Sequence, residues 1–535
     1  MSGGNEAQFD YIVVGAGSAG AALAARLTED ANTRVLLLEA GKASHPYTRF
    51  PISFGLLIDN PAANWRYASE PEPGTKNREI PVPRGKVLGG SSAINGLVYV
   101  RGQPMDFNTW AQMGNRGWSW DDVLPTFQRM ENYQGGPAGG RGVGGPLTVS
   151  EVPDQNPLYD AWFAAAKAAG FKHNPDYNTE DQEGVVKTQT TIRNGVRQST
   201  AVAYLKPAMG RPNLHIVTEA ATRKVLLEGK RCVGVVYEKA GQSITARAGK
   251  EVILSAGAVA TPQLLELSGI GNPDILQRHG IEVLHDLPAV GENFRDHINA
   301  AANWKLTDPS MSYNPRGRGV GLIGEAFRYA FGRGGFFSLP SAPLLAFLRT
   351  RPDMETPDVQ MHLVPYAIKN RKKRLLHDFA GFAISVYQLR PESLGSIHIR
   401  SADPNAQPAI RFNFLHDPID QAAMTEGFKM VRRIVNAAPM DHIRGEEYAP
   451  GPAVSTDAQI LDYIRGVAET AYHPIGTCRM GPGPNAVVDD RLRVHGIAGL
   501  RVADASIFPT MPSGNTNAPS IMVGEKASDF LRGRA

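Results

Sequence analysis

Two unbroken apolar runs flank a glycine turn near the start of the chain. Asp10-Tyr-Ile-Val-Val is apolar at successive positions, as a strand buried on both faces of a parallel sheet requires, and Arg34-Val-Leu-Leu-Leu-Glu39 repeats the pattern. Between them, Ala19 to Thr28 sets Ala and Leu on the packing face of a helix. The three segments predict a strand–helix–strand unit. Glycine and proline then become frequent from Gly41 to Arg84, which predicts irregular connections. Glu251-Val-Ile-Leu-Ser-Ala-Gly257 and Leu500-Arg-Val-Ala-Asp504 have the character of strands returning to the first sheet, the former followed by a helix that Thr261-Pro262 is expected to begin. Gly395 to Arg400 instead alternates apolar and polar, as a half-buried antiparallel strand does, with 379–389 and 358–363 as its expected partners. The fold class is therefore α/β: a Rossmann-like nucleotide domain with an inserted domain built on a mainly antiparallel sheet with helices. Its pieces are expected at 1–155, 212–300 and 476–535, with the inserted domain at 156–211 and 301–475.

Length supports that division, because a chain of 535 residues exceeds what one core normally holds. The composition, 42% hydrophobic and 20% charged, is that of a soluble globular protein. A net charge of +4 is spread thinly. The densest basic run, Lys369 to Arg374, has one aromatic nearby, Tyr366, and reads as a solvated loop; no nucleic-acid partner is expected. Cys232 and Cys478 alone cannot build a disulfide framework, which allows a reducing compartment. Met1 to Gln8 is polar, without the features of an export signal, so a cytoplasmic location is expected, with peripheral contact at the inner membrane left open. The aromatic-rich stretch from Gly319 to Leu348 is interrupted by Arg328, Arg333 and glycines, so it cannot span a bilayer. It is expected to form a buried or interface helix pair, or else a flexible lid or a peripheral membrane contact.

The glycine turn carries the first chemical signal. In Gly15-Ala-Gly17-Ser18-Ala19-Gly20 the first glycine permits the turn, the second admits a pyrophosphate and the third lets the helix approach the strand. The helix N-terminus offers amides and partial positive charge to phosphates. Glu39, ending the next strand, suits ribose hydroxyls and disfavours a 2′-phosphate. The motif does not separate FAD from NAD.

The far end of the chain carries the second signal. His473-Pro and Asn517-Ala pair an imidazole that can take a hydroxyl proton with an amide that can hold the same oxygen, as hydride removal from an alcohol requires. His297 is the nearest competitor as base, while His362, His398, His442 and His495 read as surface or core residues. No His-x-x-x-His or Cys-x-x-Cys spacing points to a metal, and Gly514-Asn-Thr-Asn is no nucleophile elbow.

Gly85-Lys-Val-Leu-Gly-Gly-Ser-Ser-Ala-Ile-Asn95-Gly-Leu-Val-Tyr-Val-Arg-Gly102 resembles the first signature of the glucose-methanol-choline (GMC) oxidoreductases, and Gly257 to Gly271 resembles the second. With Val290-Gly-Glu-Asn-Phe-Arg-Asp-His297, the resemblance runs from about Asp10 to Asp529. It implies an FAD-dependent alcohol dehydrogenase in which His473 is the base and Asn517 its partner. It adds Val87, Gly90, Ser91, Asn95, Gly96, Val98, Val225, Ala256, Asp504, Ala505 and Thr516 to the expected cofactor contacts. Some members attach flavin through a histidine where this chain has Ile94, which implies non-covalent FAD. Thr191 to Pro207 is similar to a bacterial branch containing L-sorbose, polyethylene glycol and aliphatic alcohol dehydrogenases. The reading this implies is oxidation of a primary alcohol to an aldehyde, with Tyr472 and Phe337 in the substrate pocket and a quinone or soluble carrier as electron acceptor. An oxygen-using aryl or furan alcohol oxidase, or a redox-neutral flavin lyase, remains an alternative. The chain is expected to be a monomer or homodimer.

Overall fold

The computed structural model describes residues 9–370 and 375–534; Met1 to Gln8 and most of the Lys369 to Arg374 run lie outside them. Strand Phe9–Val14 pairs in parallel with Val35–Leu38 on one side and with the end of Gln242–Leu254 on the other. Leu214–Val217 extends the sheet beyond Val35–Leu38, and Leu500–Val502 joins it through Val252 to Leu254. The turn, the helix Ser18–Leu27 and the strand at Val35 thus form the expected strand–helix–strand unit. All four residues of Val35–Leu38 are buried, as covering by helices on both faces demands. The first half of Gln242–Leu254 turns the sheet antiparallel, pairing with Arg231–Lys239, which pairs with Ala221–Glu228.

The second seven-stranded sheet is antiparallel and is built around Ile298–Leu306, Gly381–Gln388, Val359–Val364 and Leu344–Leu348. Each sheet has its own hydrophobic cluster. Three local expectations need correction. Gly395 to Arg400 does not join this sheet: Ser396–His398 pairs with Ala409–Arg411, because both edges of Gly381–Gln388 are already taken by Ile298–Leu306 and Val359–Val364. The stretch from Gly319 to Leu348 is not a helix pair. It gives one helix, Gly321–Gly332, and then the fully buried strand Leu344–Leu348. The glycines and Pro340 between them break the helical period, and the β-sheet recruits the apolar run. The helix after Ser255 begins at Gly257 rather than at Thr261, with Pro262 inside it. Pro262 cannot donate to the Ala258 carbonyl, and the Thr477 hydroxyl does so instead at 2.6 Å. No helix among the described residues is long and apolar enough to cross a membrane.

Candidate active site

A cavity of about 430 Å³ runs from the glycine turn to the antiparallel sheet. At one end three helices begin on its wall: Ser18–Leu27, Gly257–Leu267 and Asn517–Leu531. The first amides of Ser18–Leu27 and Asn517–Leu531 have no side-chain cap, unlike the helices capped by Ser119, Asn156, Asn272, Asp417 and Thr456, whereas the Asp504 carboxylate holds the Gly257 N–H at 2.8 Å. Uncapped first turns leave donors and positive potential directed at the cavity, which suits a pyrophosphate.

The glycines fit the same group. A Cβ on Gly17 would meet nothing within 4 Å, so the chain there opens on the cavity, whereas a Cβ on Gly20 would overlap the Gly15 carbonyl oxygen. Glu39 reaches the wall from the end of its strand and accepts N–H bonds from Ala16 at 3.1 Å and Gly41 at 2.8 Å. Burial pushes its carboxyl up to about 7. Gly15, Gly17, Ser18, Ala19 and Glu39 thus line the cavity together. So do Gly90, Ser91, Asn95, Gly96 and Val98 from the segment after Arg84, and Ala256, Asp504, Ala505 and Thr516 from later in the chain.

Four expected contacts stand off the wall. Gly20 serves helix packing against the turn. Val87 is buried beside Lys42, with which it forms a β-bridge. Val225 belongs to the core, its N–H held by the Ser268 hydroxyl at 2.9 Å. At the register irregularity between Thr222 and Lys224, Thr222 and Arg223 line the cavity instead, and the buried Thr222 hydroxyl has no partner among the described residues. Phe337 packs against Tyr329 and Phe336.

At the other end the cavity meets a cluster of histidines. His473 follows the short strand Glu469–Thr470, which pairs with the start of Ile298–Leu306 and so brings His473 next to His297. Asp296 clamps the two segments: its carboxyl accepts the N–H of His297 at 2.7 Å, the N–H of His473 at 2.9 Å and the Thr470 hydroxyl at 2.5 Å. Burial raises that carboxyl to about 7.

A hydrogen-bonded chain then sets the tautomers. The His297 Nε2 lies 2.8 Å from the Leu389 carbonyl oxygen, which can only accept, so Nε2 carries the proton. His297 Nδ1 is then an acceptor, and it lies 2.9 Å from His473 Nδ1, which must donate. His473 Nε2 is left unprotonated, and the Asn515 amide donates to it at 2.9 Å. Burial, with His297, His362 and Arg84 nearby, holds the His473 imidazole well below its ordinary range. His297 is pushed down to about 4 by burial. The His473 imidazole is therefore neutral, with its lone pair on one defined nitrogen, the one that meets the Asn515 amide.

The partner amide is a correction. Asn517 does not reach His473; it is the first residue of its helix, and its Oδ1 accepts from the Ser18 hydroxyl at 2.8 Å, on the phosphate side of the cavity. Asn515, two residues earlier, occupies the expected position. Its loop is pinned by Ser513, whose N–H and hydroxyl bond to Asp106 at 2.7 and 2.8 Å, and Gly514 at φ +124° turns the next side chain toward His473. The resemblance points to the second asparagine of Asn515-Thr-Asn517; the turn at Gly514 brings the first to His473. Tyr472 lines the cavity as expected. His362, read from sequence as a surface or core residue, also lies on the wall.

Two family models described as GMC oxidoreductase match this chain, over residues 9–299 and 391–524. The chain is 44% identical to oxygen-dependent choline dehydrogenase of Brucella ovis, covering 98% of this chain and 96% of that protein, and 43% identical to the same-named protein of Sinorhizobium fredii. Among solved structures it resembles pyridoxine 4-oxidase from Mesorbium loti, with a TM-score of 0.89 and 29% identity over 99% of this chain and all of that one. Formate oxidase of Aspergillus oryzae gives a TM-score of 0.91 at 28% identity, with 99% of both chains covered.

Proposed function

We propose, for a chain that belongs to the GMC oxidoreductases and oxidises CH–OH donors with FAD, that the substrate is a primary alcohol leaving as an aldehyde. The observation that carries this reading is the chain of contacts from the Leu389 carbonyl through His297 to His473, which leaves a basic nitrogen facing Asn515 on the cavity wall. FAD, when bound, supplies the hydride acceptor. The protein's own groups manage the proton. An alcohol hydroxyl placed between His473 Nε2 and the Asn515 amide gives its proton to Nε2, while the amide N–H moves onto the oxygen and stabilises the charge that develops there. His297 holds the ring and its tautomer through the transfer. The clamp at Asp296 fixes both histidine backbones, so that the base does not have to be ordered on substrate binding.

FAD is held without a covalent bond in this reading. Ile94 offers no nucleophile and is buried beside Leu57 and Ala63. Gly17, Glu39, Thr222 and the three helix starts would hold the dinucleotide, and Asn95 and Gly96 the ring system.

Electrons pass to a quinone or soluble carrier in our first reading. A second reading, oxygen as acceptor, is favoured by the similarity to proteins named oxygen-dependent choline dehydrogenase and pyridoxine 4-oxidase. Anaerobic mixing with a panel of primary alcohols is expected to bleach the flavin band. A panel without bleaching would defeat the primary-alcohol reading. Admitting air then separates the acceptors: slow return of colour supports the dehydrogenase, and return within the turnover time supports the oxidase.

A further inference from the structure

The groups facing the reacting end of the cavity carry information about the rest of the substrate. In the antiparallel sheet, Asn299 stands opposite Tyr387, and Ser385 stands opposite both Ala301 and His362, so that neighbouring strands present Asn299, Ser385 and His362 to the cavity, with Val364 beyond. All four are uncharged, since burial pushes His362 down to about 3. The Asn299 Oδ1 is buried and has no hydrogen-bond partner among the described residues.

Carboxylates are placed elsewhere. Among the described residues Glu39 and Asp504 are the only acidic ones on the wall, and both are committed to backbone N–H groups at the dinucleotide end: Ala16 and Gly41 for the first, Gly257 and Ser506 for the second. Asp296 is nearest to His473 but lies behind it, off the wall, with its oxygens engaged by Thr470 and two backbone amides.

Positive charge is present instead. Arg84 is on the wall, donating to the Tyr472 carbonyl at 3.2 Å, and its buried Nε has no partner among the described residues. Burial lowers it only to about 10, so it is cationic at neutral pH. The aromatic pair Trp65 and Tyr67, stacked at 5.9 Å, could have received an ammonium, yet Lys86 already sits 4.4 Å from the centre of the Trp65 ring. An ammonium entering here would leave water, find no counter-charge and face two cations.

We infer that the substrate is an uncharged alcohol carrying a second hydrogen-bond donor, a hydroxyl or N–H directed at Asn299, and that quaternary ammonium alcohols are excluded despite the similarity to choline dehydrogenases. The inference rests on the alcohol-oxidising reading above and narrows its substrate class. Asn299 is a specificity-determining residue: its unpartnered oxygen accepts from the substrate's distal donor.

The test compares choline, the uncharged isostere in which carbon replaces its nitrogen, and a short linear diol, each with the FAD-loaded enzyme. The expected result is a kcat/KM at least about tenfold higher for the isostere than for choline, with the diol higher again. Asn299→Asp should move the choline-to-isostere ratio toward choline by about tenfold or more, and Asn299→Leu should raise KM for the diol more than for the isostere. Equal or better turnover of choline by the unaltered enzyme overturns the inference, as does a ratio that Asn299→Asp leaves unmoved while the flavin spectrum shows FAD retained. Dissociation constants from perturbation of the flavin absorbance separate the two levels. If none of the three alcohols bleaches the flavin, the oxidation reading is in trouble, yet tighter binding of choline than of its isostere would still overturn the specificity inference, and weaker binding would uphold it.

Discussion

The two ends of the cavity are built in different ways. The dinucleotide end consists mainly of backbone, a glycine turn and three helix starts, with a carboxylate at a strand end; the turn, one helix start and that carboxylate lie within the first forty residues. The alcohol end consists of side chains from segments far apart in sequence, with Asn299, His362, Ser385 and His473 from the antiparallel sheet and its edge meeting Asn515 from the loop before the last helix. Backbone recognition tolerates any side chain that leaves the main chain where it is; side-chain recognition fails one residue at a time. Substitutions should therefore separate cofactor retention from the chemical step.

The largest separation is expected at His473. His473→Ala should slow flavin reduction by about 10²-fold or more, the range for loss of a general base, while purified protein keeps its FAD. Reduction at the normal rate in stopped flow would remove His473 from the mechanism. Asn515→Ala is expected to cost about 10²-fold in the same step, whereas Asn517→Ala should leave it nearly intact and weaken FAD retention through loss of the Ser18 contact. The reverse pattern would restore Asn517 as the catalytic amide.

Gly20→Ala tests the opposite end. Its Cβ would press on the Gly15 carbonyl, and overpacking of this kind costs about 1–3 kcal/mol, so FAD should dissociate more readily while the His473–Asn515 pair is untouched. Full FAD occupancy and unchanged thermal stability would contradict the packing argument.

The smallest effect is a pH profile. An imidazole held well below its ordinary range stays neutral, and so able to accept a proton, at pH values where a free histidine is already protonated. Lowering the pH from about 8 to about 6 should therefore leave the rate of flavin reduction nearly flat, where an unshifted histidine would lose half its activity near about 6.5. His297→Leu removes the acceptor that fixes the His473 tautomer, and should lower the plateau while FAD remains bound. A rate that halves near 6.5 in the unaltered enzyme would show that the histidine cluster is not shielded as the structure describes.

Legibility in the sequence followed the same division. The strand–helix–strand unit, Glu39 and the Gly90 to Val98 stretch are local signals, because glycine spacing and a terminal acid act within a few residues of one another. The three helix starts were only partly legible: the helix at Gly257 was read four residues late, since Pro262 normally marks a first turn and the Thr477 hydroxyl that lets it sit deeper lies more than two hundred residues away. Val225 was misplaced because a strand's facing depends on a register that Thr222 and Arg223 reveal only in the sheet.

His473 was identified from its motif, but its state was not. The sequence by itself determined that the chain would build a dinucleotide site and carry an imidazole able to take the proton of an alcohol, since these follow from short-range patterns. Tertiary structure alone decided that Asn515 and not Asn517 faces that imidazole, that His297 sets its tautomer, and that Asn299 and Arg84 stand where a carboxylate would have welcomed an ammonium. The reason is physical. A backbone cradle is specified by the conformational freedom of residues next to one another, whereas the direction of a proton and the charge felt by a substrate depend on distances between side chains that only the packed sheets bring together.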